Sequence, residues 1–565
     1  MKLKYSVLII SIITLLSGVG LAATTQSGFG TVIVTEVDFQ AADGSMIHST
    51  LQKPVEATST NQMPGVVVIH GVLQSKEWLM AFGIEIARRG FVVLTIDANG
   101  HGNSDPGSGS GSAALDYITS LDYVDETQLA MIGHSMGGFI AWSSLDTASH
   151  PINALVLVGS GVSDVANTSY PHNMLVAIGE FDELFYPFNK TQLELSFGVT
   201  DIEIGVTYGN FSTGTARKLI MPRTNHLFST IDPLIVNETV EWIKDSLKEI
   251  EDTYWIPADN QIYQLWLVGG FLSTFGIVIT IFPLLSILIE LKPLKSLKRE
   301  VESDYAASTK EYFGYGTIYA IIGAGSFFPL LAIGFFLPSP QSYASSILSW
   351  ILGSALIAAL ILNIILRKKK PSGVEWKKLW TMGKDVKFLP QFTKSLILAL
   401  VVVGWLYAWT LLIDIGFALE FRAFLPGFND LTLLRAGLFP IYSIIFIIYF
   451  LVDGMWLMGI MRMNTGENDA HGIAKASILA GFIKCIPYIL LITMQMGVGL
   501  LFGYPIAQGM IGFSFLFFFA FTPWFAVGAV IIVFCYKFTG NYWLAALLNG
   551  LMFGWMLATI LPFPS

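Results

Sequence analysis

Gly133-His134-Ser135-Met136-Gly137-Gly138 sits at a junction between two kinds of sequence. The residues before it, Leu129-Ala130-Met131-Ile132, form a short apolar run of strand character, and residues 136–145 read as a helix. A serine on so sharp a strand-to-helix turn takes up a strained backbone conformation, and bulky neighbours would clash with it. Glycines at 133 and 137 meet that demand. The turn lifts the hydroxyl clear of the sheet. The backbone N–H of Met136 then lies at a helix N-terminus, where partial positive charge favours a developing oxyanion. Ser135 is therefore the candidate nucleophile.

Strands and helices alternate on both sides of this turn. Residues 31–39 and 46–52 read as an antiparallel hairpin around Asp43-Gly44. Gly65-Val66-Val67-Val68-Ile69 is a continuous apolar run, as a buried parallel strand requires. A helix is predicted over 78–89, a strand over 91–96, a Gly/Ser-rich loop, and a helix over 113–121. Strands over 154–158, 174–178 and 218–221 and an amphipathic helix over 233–248 complete the pattern. It predicts a mostly parallel sheet with helices on both faces.

Residues 31–248 resemble the α/β-hydrolase family, whose nucleophile elbow is G-x-S-x-G. The resemblance rests on several motifs in the family's order. Ile69-His70-Gly71-Val72 matches the His-Gly of its oxyanion loop, and Asp97-Ala98-Asn99-Gly100-His101-Gly102-Asn103-Ser104 resembles its D-x-x-G-x-G-x-S loop. The resemblance implies that the Val72 N–H is a second oxyanion donor beside Met136, with His70, Gly71, Gly133, His134 and Gly137 in support. The family order is Ser, then acid, then His. Asp182, in Gly179-Glu180-Phe181-Asp182-Glu183, matches the acid, with Glu180 and Glu183 as local alternatives. His226, in Thr224-Asn225-His226-Leu227-Phe228, matches the base. Many relatives carry a helical lid before the acid, but residues 159–172 leave room only for a short loop. The site is then open, or roofed by the membrane surface or by the rest of the chain.

That rest is a different material. The chain has 565 residues, 53% hydrophobic and only 13% charged, and the apolar excess begins near residue 262. Residues 251–261 read as a polar linker. Eight runs of ~20 apolar residues or more follow over 262–565, long enough for an all-α transmembrane bundle. The intervening loops 290–312 and 367–387 are rich in Lys and Arg, while 338–341 and 503–508 carry none. Positive loops stay in the cytoplasm, which puts residues 31–250 on the extracytoplasmic face of the cell membrane. Met1-Lys2-Leu3-Lys4 and the apolar stretch to Ala23 give the same answer, as a signal peptide or signal anchor over 1–23. Leu21-Ala22-Ala23 suits cleavage, and the stretch is also just long enough to remain. Four N-glycosylation patterns, at Asn167, Asn189, Asn210 and Asn237, all fall in the soluble part.

Within the apolar half, Asp453 and Lys484 lie at matching depths and are expected to pair, since an isolated charge in a bilayer is expensive. Asp414, Glu420 and Arg422 cluster near the outer end of the fourth run and read as an interfacial ion network. The two cysteines, Cys485 and Cys535, lie in apolar runs, so the soluble part has no disulfide, cysteine nucleophile or cysteine metal site. A net charge of −9 without a basic patch argues against nucleic acid as a partner. No cofactor or metal motif is read. The expectation is a membrane-anchored serine hydrolase acting on a small-molecule or lipid acyl substrate, in contact with membrane lipids. The alternatives are a serine peptidase, and a transport or sensory protein whose hydrolase-like domain only binds ligand.

Overall fold

The apolar runs become a nine-stranded sheet in the computed structural model, which describes residues 2–247, 255–301, 305–371, 373–382, 386–421, 427–466 and 470–564. Arg422, Lys384 and the first part of the linker, 251–254, lie outside the described residues. The strands are β1 Val32–Gln40, β2 Met46–Pro54, β3 Met63–Ile69, β4 Val92–Ile96, β5 Val124–His134, β6 Ile152–Val158, β7 Met174–Ala177, β8 Thr207–Tyr208 and β9 Arg217–Ile220. Their spatial order is β1-β2-β4-β3-β5-β6-β7-β9-β8. The run from β4 to β9 is parallel, and β1, β2 and β8 pair antiparallel at the two edges. Every residue of β3 and β4 is buried, because helices cover both faces.

After an N-terminal helix α1 (Lys2–Gln26), the helices around the sheet are α2 Met80–Ala87, α3 Ser110–Thr119, α4 Met136–Leu145, α5 Thr191–Phe197 and α6 Pro233–Leu247. The bundle comprises α7 Tyr263–Leu288, α8 Thr309–Gly325, α9 Phe327–Phe335, α10 Ala344–Lys369, the short α11 Lys377–Thr381, α12 Phe388–Phe417, α13 Leu433–Met455, α14 Ala470–Phe502, α15 Gly509–Thr539 and α16 Trp543–Ile560. The helix predicted over 78–89 is in fact a 3-10 turn, Lys76–Leu79, followed by α2. The short elements α5 and β8 escape the sequence reading because neither is long enough to show a period.

Among the described residues, nine helical segments are long and apolar enough to cross a membrane. Eight match the expected runs; the ninth is α1. It lies along α7 at very close range. A Cβ on Gly18 would fall 2.4 Å from the Ser273 nitrogen, and one on Gly276 would fall 2.5 Å from the Leu15 nitrogen. Small residues let the two backbones touch, the usual way apolar helices associate in lipid. The Asp453–Lys484 pair forms at 2.8 Å, with Lys484 also donating to the Tyr319 and Tyr449 hydroxyls.

Polar contacts join sheet and bundle. The buried Glu85 carboxylate accepts from the backbone N–H of Ile262 (2.6 Å) and Tyr263 (2.9 Å), capping the start of α7. Arg435 in α13 donates to the carbonyls of Ala558 (2.7 Å), Leu561 (2.8 Å) and Gly100 (3.2 Å). It ties the C-terminal end of the chain to the loop after β4.

Candidate active site

Ser135 sits between the end of β5 and the start of α4 with φ 52° and ψ −118°, a conformation that L side chains rarely adopt. Its neighbours explain how it is held there. A Cβ on Gly137 would lie 2.1 Å from the Ile69 carbonyl, and one on Gly133 would lie 2.3 Å from the Gly137 carbonyl. Only glycine fits between the two strand ends at these positions. The Ser135 N–H donates to the Val158 carbonyl at 2.9 Å, fixing the turn to β6.

The loops after β7 and β9 bring a carboxylate and an imidazole together. His226 Nδ1 lies 2.9 Å from Asp182 Oδ2. Asp182 is fully buried, and its Oδ1 accepts from the N–H groups of Leu184 and Phe185. Glu180, one alternative acid, faces outward toward Arg223. Glu183, the other, is buried and accepts the His226 backbone N–H at 3.2 Å. Burial first, and then the Asp182 charge, push the Glu183 pKa up to about 7. Burial disfavours the charged form of His226, but Asp182, by charge and hydrogen bond, and then Glu183 outweigh it and raise its pKa. With Nδ1 engaged by Asp182, Nε2 is the ring nitrogen left for other chemistry.

Ser135 and His226 line the same cavity, together with Val72 and His134. Among the described residues no hydrogen bond joins the Ser135 hydroxyl to the His226 ring; such contacts often tighten only when substrate binds. His134 braces the arrangement. Its ring bridges Gln74 Oε1 (2.9 Å) and the His226 carbonyl (3.1 Å). Gln74 Oε1 also accepts the Gly71 N–H at 2.9 Å, so one amide holds the loop that carries Val72. Sequence reasoning missed Gln74, since nothing in its local pattern marks it. His70 is wholly buried and accepts the Ala98 N–H through Nε2, which braces the loops after β3 and β4.

The roof is the bundle. Phe513, Leu516, Phe517 and Ala520 of α15, with Leu557 and Ile560 of α16, close an apolar cleft of about 70 Å³ over Ser135 and His226. Phe228, two residues beyond His226, packs edge-on against Phe519 of α15 at 5.3 Å. Residues 160–173, where a lid helix is often inserted, hold no helix.

A charge cluster pins the same region from the other side. Lys76 Nζ is buried and lies 2.6 Å from Glu420, 2.9 Å from Glu77 and 3.2 Å from Glu36. Burial disfavours its charge, but Glu420, Glu77 and Glu36 together raise its pKa well above the ordinary lysine value. Glu36, His48 and Glu420 place three ligand-type atoms within 4.8 Å of one another. The Lys76 ammonium bonds two of those carboxylates, so it already supplies their positive charge. Of the expected ion network, Asp414 and Glu420 are described and Arg422 is not.

Residues 64–303 match the family model described as alpha/beta hydrolase fold, a match that runs from β3 past the sheet into α7 and the loop beyond it. The comparison with curated proteins returned no match. Among solved structures, a thioesterase domain from the curacin biosynthetic pathway is 15% identical, with 37% of this chain and 99% of that one covered at a TM-score of 0.27. A dienelactone hydrolase-like promiscuous phosphotriesterase from metagenomic libraries is 17% identical, covering 43% and 98% at a TM-score of 0.28. A predicted CIB-like hydrolase from Thermoplasma acidophilum is 15% identical, covering 38% and 98% at a TM-score of 0.29. The sheet order, the elbow and the family match agree: the chain carries an α/β-hydrolase fold, joined to a set of long apolar helices.

Proposed function

We propose that this protein is a membrane-anchored serine hydrolase that cleaves an ester or related acyl bond through an acyl-enzyme, with its hydrolase domain on the extracytoplasmic side. The observation that carries the reading is the Asp182–His226 hydrogen bond of 2.9 Å on the wall of the cavity that also holds the strained Ser135. In the proposed reaction Ser135 Oγ attacks the acyl carbonyl and His226 Nε2 takes its proton. Asp182 keeps the proton on Nδ1 and stabilises the imidazolium. The N–H groups of Val72 and Met136 bind the oxyanion of the tetrahedral intermediate. The leaving alcohol takes the proton from His226. Water, activated by the same imidazole, then releases the acid.

Orientation rests on charge. Lys292, Lys295, Lys298 and Arg299 follow α7, and Arg367, Lys368, Lys369 and Lys370 close α10, whereas the α9–α10 and α14–α15 connections carry no Lys or Arg.

The test is hydrolysis of a p-nitrophenyl acyl ester by the full-length protein in detergent micelles. Turnover lost in Ser135→Ala and in His226→Ala, with the wild-type elution profile kept, supports the reading. Turnover that persists in Ser135→Ala, or a wild-type protein that binds the ester without cleaving it, would favour a ligand-binding role.

A further inference from the structure

The cleft over Ser135 is one of two spaces that Val72 lines. The second is larger, about 680 Å³, and is lined by both residues read as oxyanion donors, Val72 and Met136. The hydrolase domain supplies one wall through residues 107–112 and the outer face of α4. The bundle supplies the other through the end of α9, the α9–α10 connection, the first turn of α10 and the tail at 562–564. The tail is held in place by the Phe563 N–H donating to Gly100 O at 2.9 Å and the Ser342 N–H donating to Pro562 O at 2.7 Å.

The two spaces differ in chemistry. Phe, Leu, Ile and Ala dominate the cleft on the Ser135 side. Nine of the 24 residues around the larger cavity are serines, among them Ser108, Ser110 and Ser112 from one wall and Ser339, Ser342 and Ser346 from the other. Among the described residues, no Asp, Glu, Lys or Arg lines it. The imidazole in its wall, His101, is kept neutral by burial and by the neighbouring His70, with its pKa held down to about 3. His101 Nδ1 faces the Asn99 carbonyl at 3.0 Å, and the buried Nε2 has no hydrogen-bond partner among the described residues. A carbonyl only accepts, so Nδ1 carries the proton and Nε2 offers a lone pair.

We infer, resting on the hydrolase reading above, that the substrate is an amphiphile whose acyl end lies in the cleft between Ser135 and α15 and whose uncharged, hydroxyl-bearing headgroup fills the serine-lined cavity. Hydroxyl groups exchange hydrogen bonds with serines at little cost. A phosphate would meet no Lys or Arg side chain among the described residues that line the space, so it would gain no ion pair there. A glycerol ester and a sugar ester share the required chemistry.

The test compares esters of one acyl group on the full-length protein in micelles: a monoacylglycerol, a 6-O-acyl glucose, the matching lysophosphatidic acid, and the p-nitrophenyl ester without a headgroup. Fluorophosphonate labelling of each protein is run beside it. The expected result is a kcat/KM for the glycerol or glucose ester at least about tenfold above that for the phosphate-bearing ester. Whichever neutral ester is faster names the headgroup. In Ser342→Phe and Ser112→Phe, which crowd the cavity from opposite walls at half-buried positions, the ratio of kcat/KM between the preferred ester and the p-nitrophenyl ester falls about tenfold. Equal or better cleavage of the phosphate ester, or an unchanged ratio in two variants that still label, overturns the headgroup inference and leaves the hydrolase reading standing. Wild-type protein that fails to label overturns both.

Discussion

Lys76 and Glu420 are 344 positions apart in the chain and meet at 2.6 Å in a buried cluster between sheet and bundle. Their removal has unequal consequences. Lys76→Met leaves Glu36, Glu77 and Glu420 facing one another with their shared cation gone. Stranding buried charge in this way costs ~3–5 kcal/mol. Glu420→Gln keeps an oxygen that accepts from the ammonium, and Lys76 retains Glu77 at 2.9 Å and Glu36 at 3.2 Å. Its cost is about 1–3 kcal/mol, a charge-assisted hydrogen bond exchanged for a weaker one. For a hydrolase domain of this size, ~2–4 °C of midpoint per kcal/mol translates these into losses of ~6–20 °C and ~2–12 °C. The assay is thermal unfolding of the detergent-solubilised protein, followed by size-exclusion chromatography after heating. Function should follow the same order. The Lys76 N–H donates to Asp97 Oδ1 at 2.8 Å, and the loop that starts at His70 carries Val72 just four positions earlier. A Glu420→Gln loss as large as that of Lys76→Met would refute the reasoning, as would stability unmoved in both.

Other outcomes follow from the same geometry. His226 must be neutral to accept a proton, and its pKa is raised, so kcat/KM should climb with pH through a midpoint above the ordinary imidazole value of 6.5. Asp182→Asn should lower the maximum about 10⁴-fold and move that limb to lower pH, read from a pH–rate profile. Glu183→Gln, which removes a further negative charge beside His226, should move the limb the same way with a smaller loss of rate. Gly137→Ala forces a Cβ to 2.1 Å from the Ile69 carbonyl and should cost about 3 kcal/mol or more with loss of activity, read from unfolding and ester hydrolysis. The contact of α1 with α7, and the Gln26 side chain donating to the Phe417 carbonyl at 2.7 Å, predict that α1 stays attached in the mature protein. Intact-mass measurement of the purified protein should include residues 2–26, and a mass beginning after Ala23 would contradict this.

The parts legible in the sequence are those that announce themselves locally. The elbow shows its glycines and its flanking strand and helix within ten residues. The long apolar helices show as runs of ~20 apolar residues or more, so their existence could be read, while their polar N-terminal turns could not: the helices that start at Thr309 and Phe388 extend well before their apolar runs. His226 and Asp182 follow strand ends in the order the resemblance implies. The choice among Glu180, Asp182 and Glu183 was open in the sequence. In the structure, Asp182 turns inward to His226, Glu180 turns out to Arg223, and Glu183 reaches the His226 backbone. What the sequence hid is contact across long separations. Gln74 looks like any loop glutamine until it meets His134. Glu85 looks like a helix-surface acid until it caps α7. The α15 residues that roof the site read as ordinary lipid-facing or packing residues, because apolar periodicity does not say which surface lies opposite.

Acyl-bond cleavage by this site requires Ser135 to be a working nucleophile. The most direct measurement is peptide mapping by mass spectrometry after full-length protein in micelles reacts with a fluorophosphonate. One phosphonylated site is expected, on the peptide containing Ser135, absent when Asp182 and His226 are both replaced by Ala. Folded protein that carries no adduct, or an adduct on a different serine with Ser135 unmodified, would contradict it.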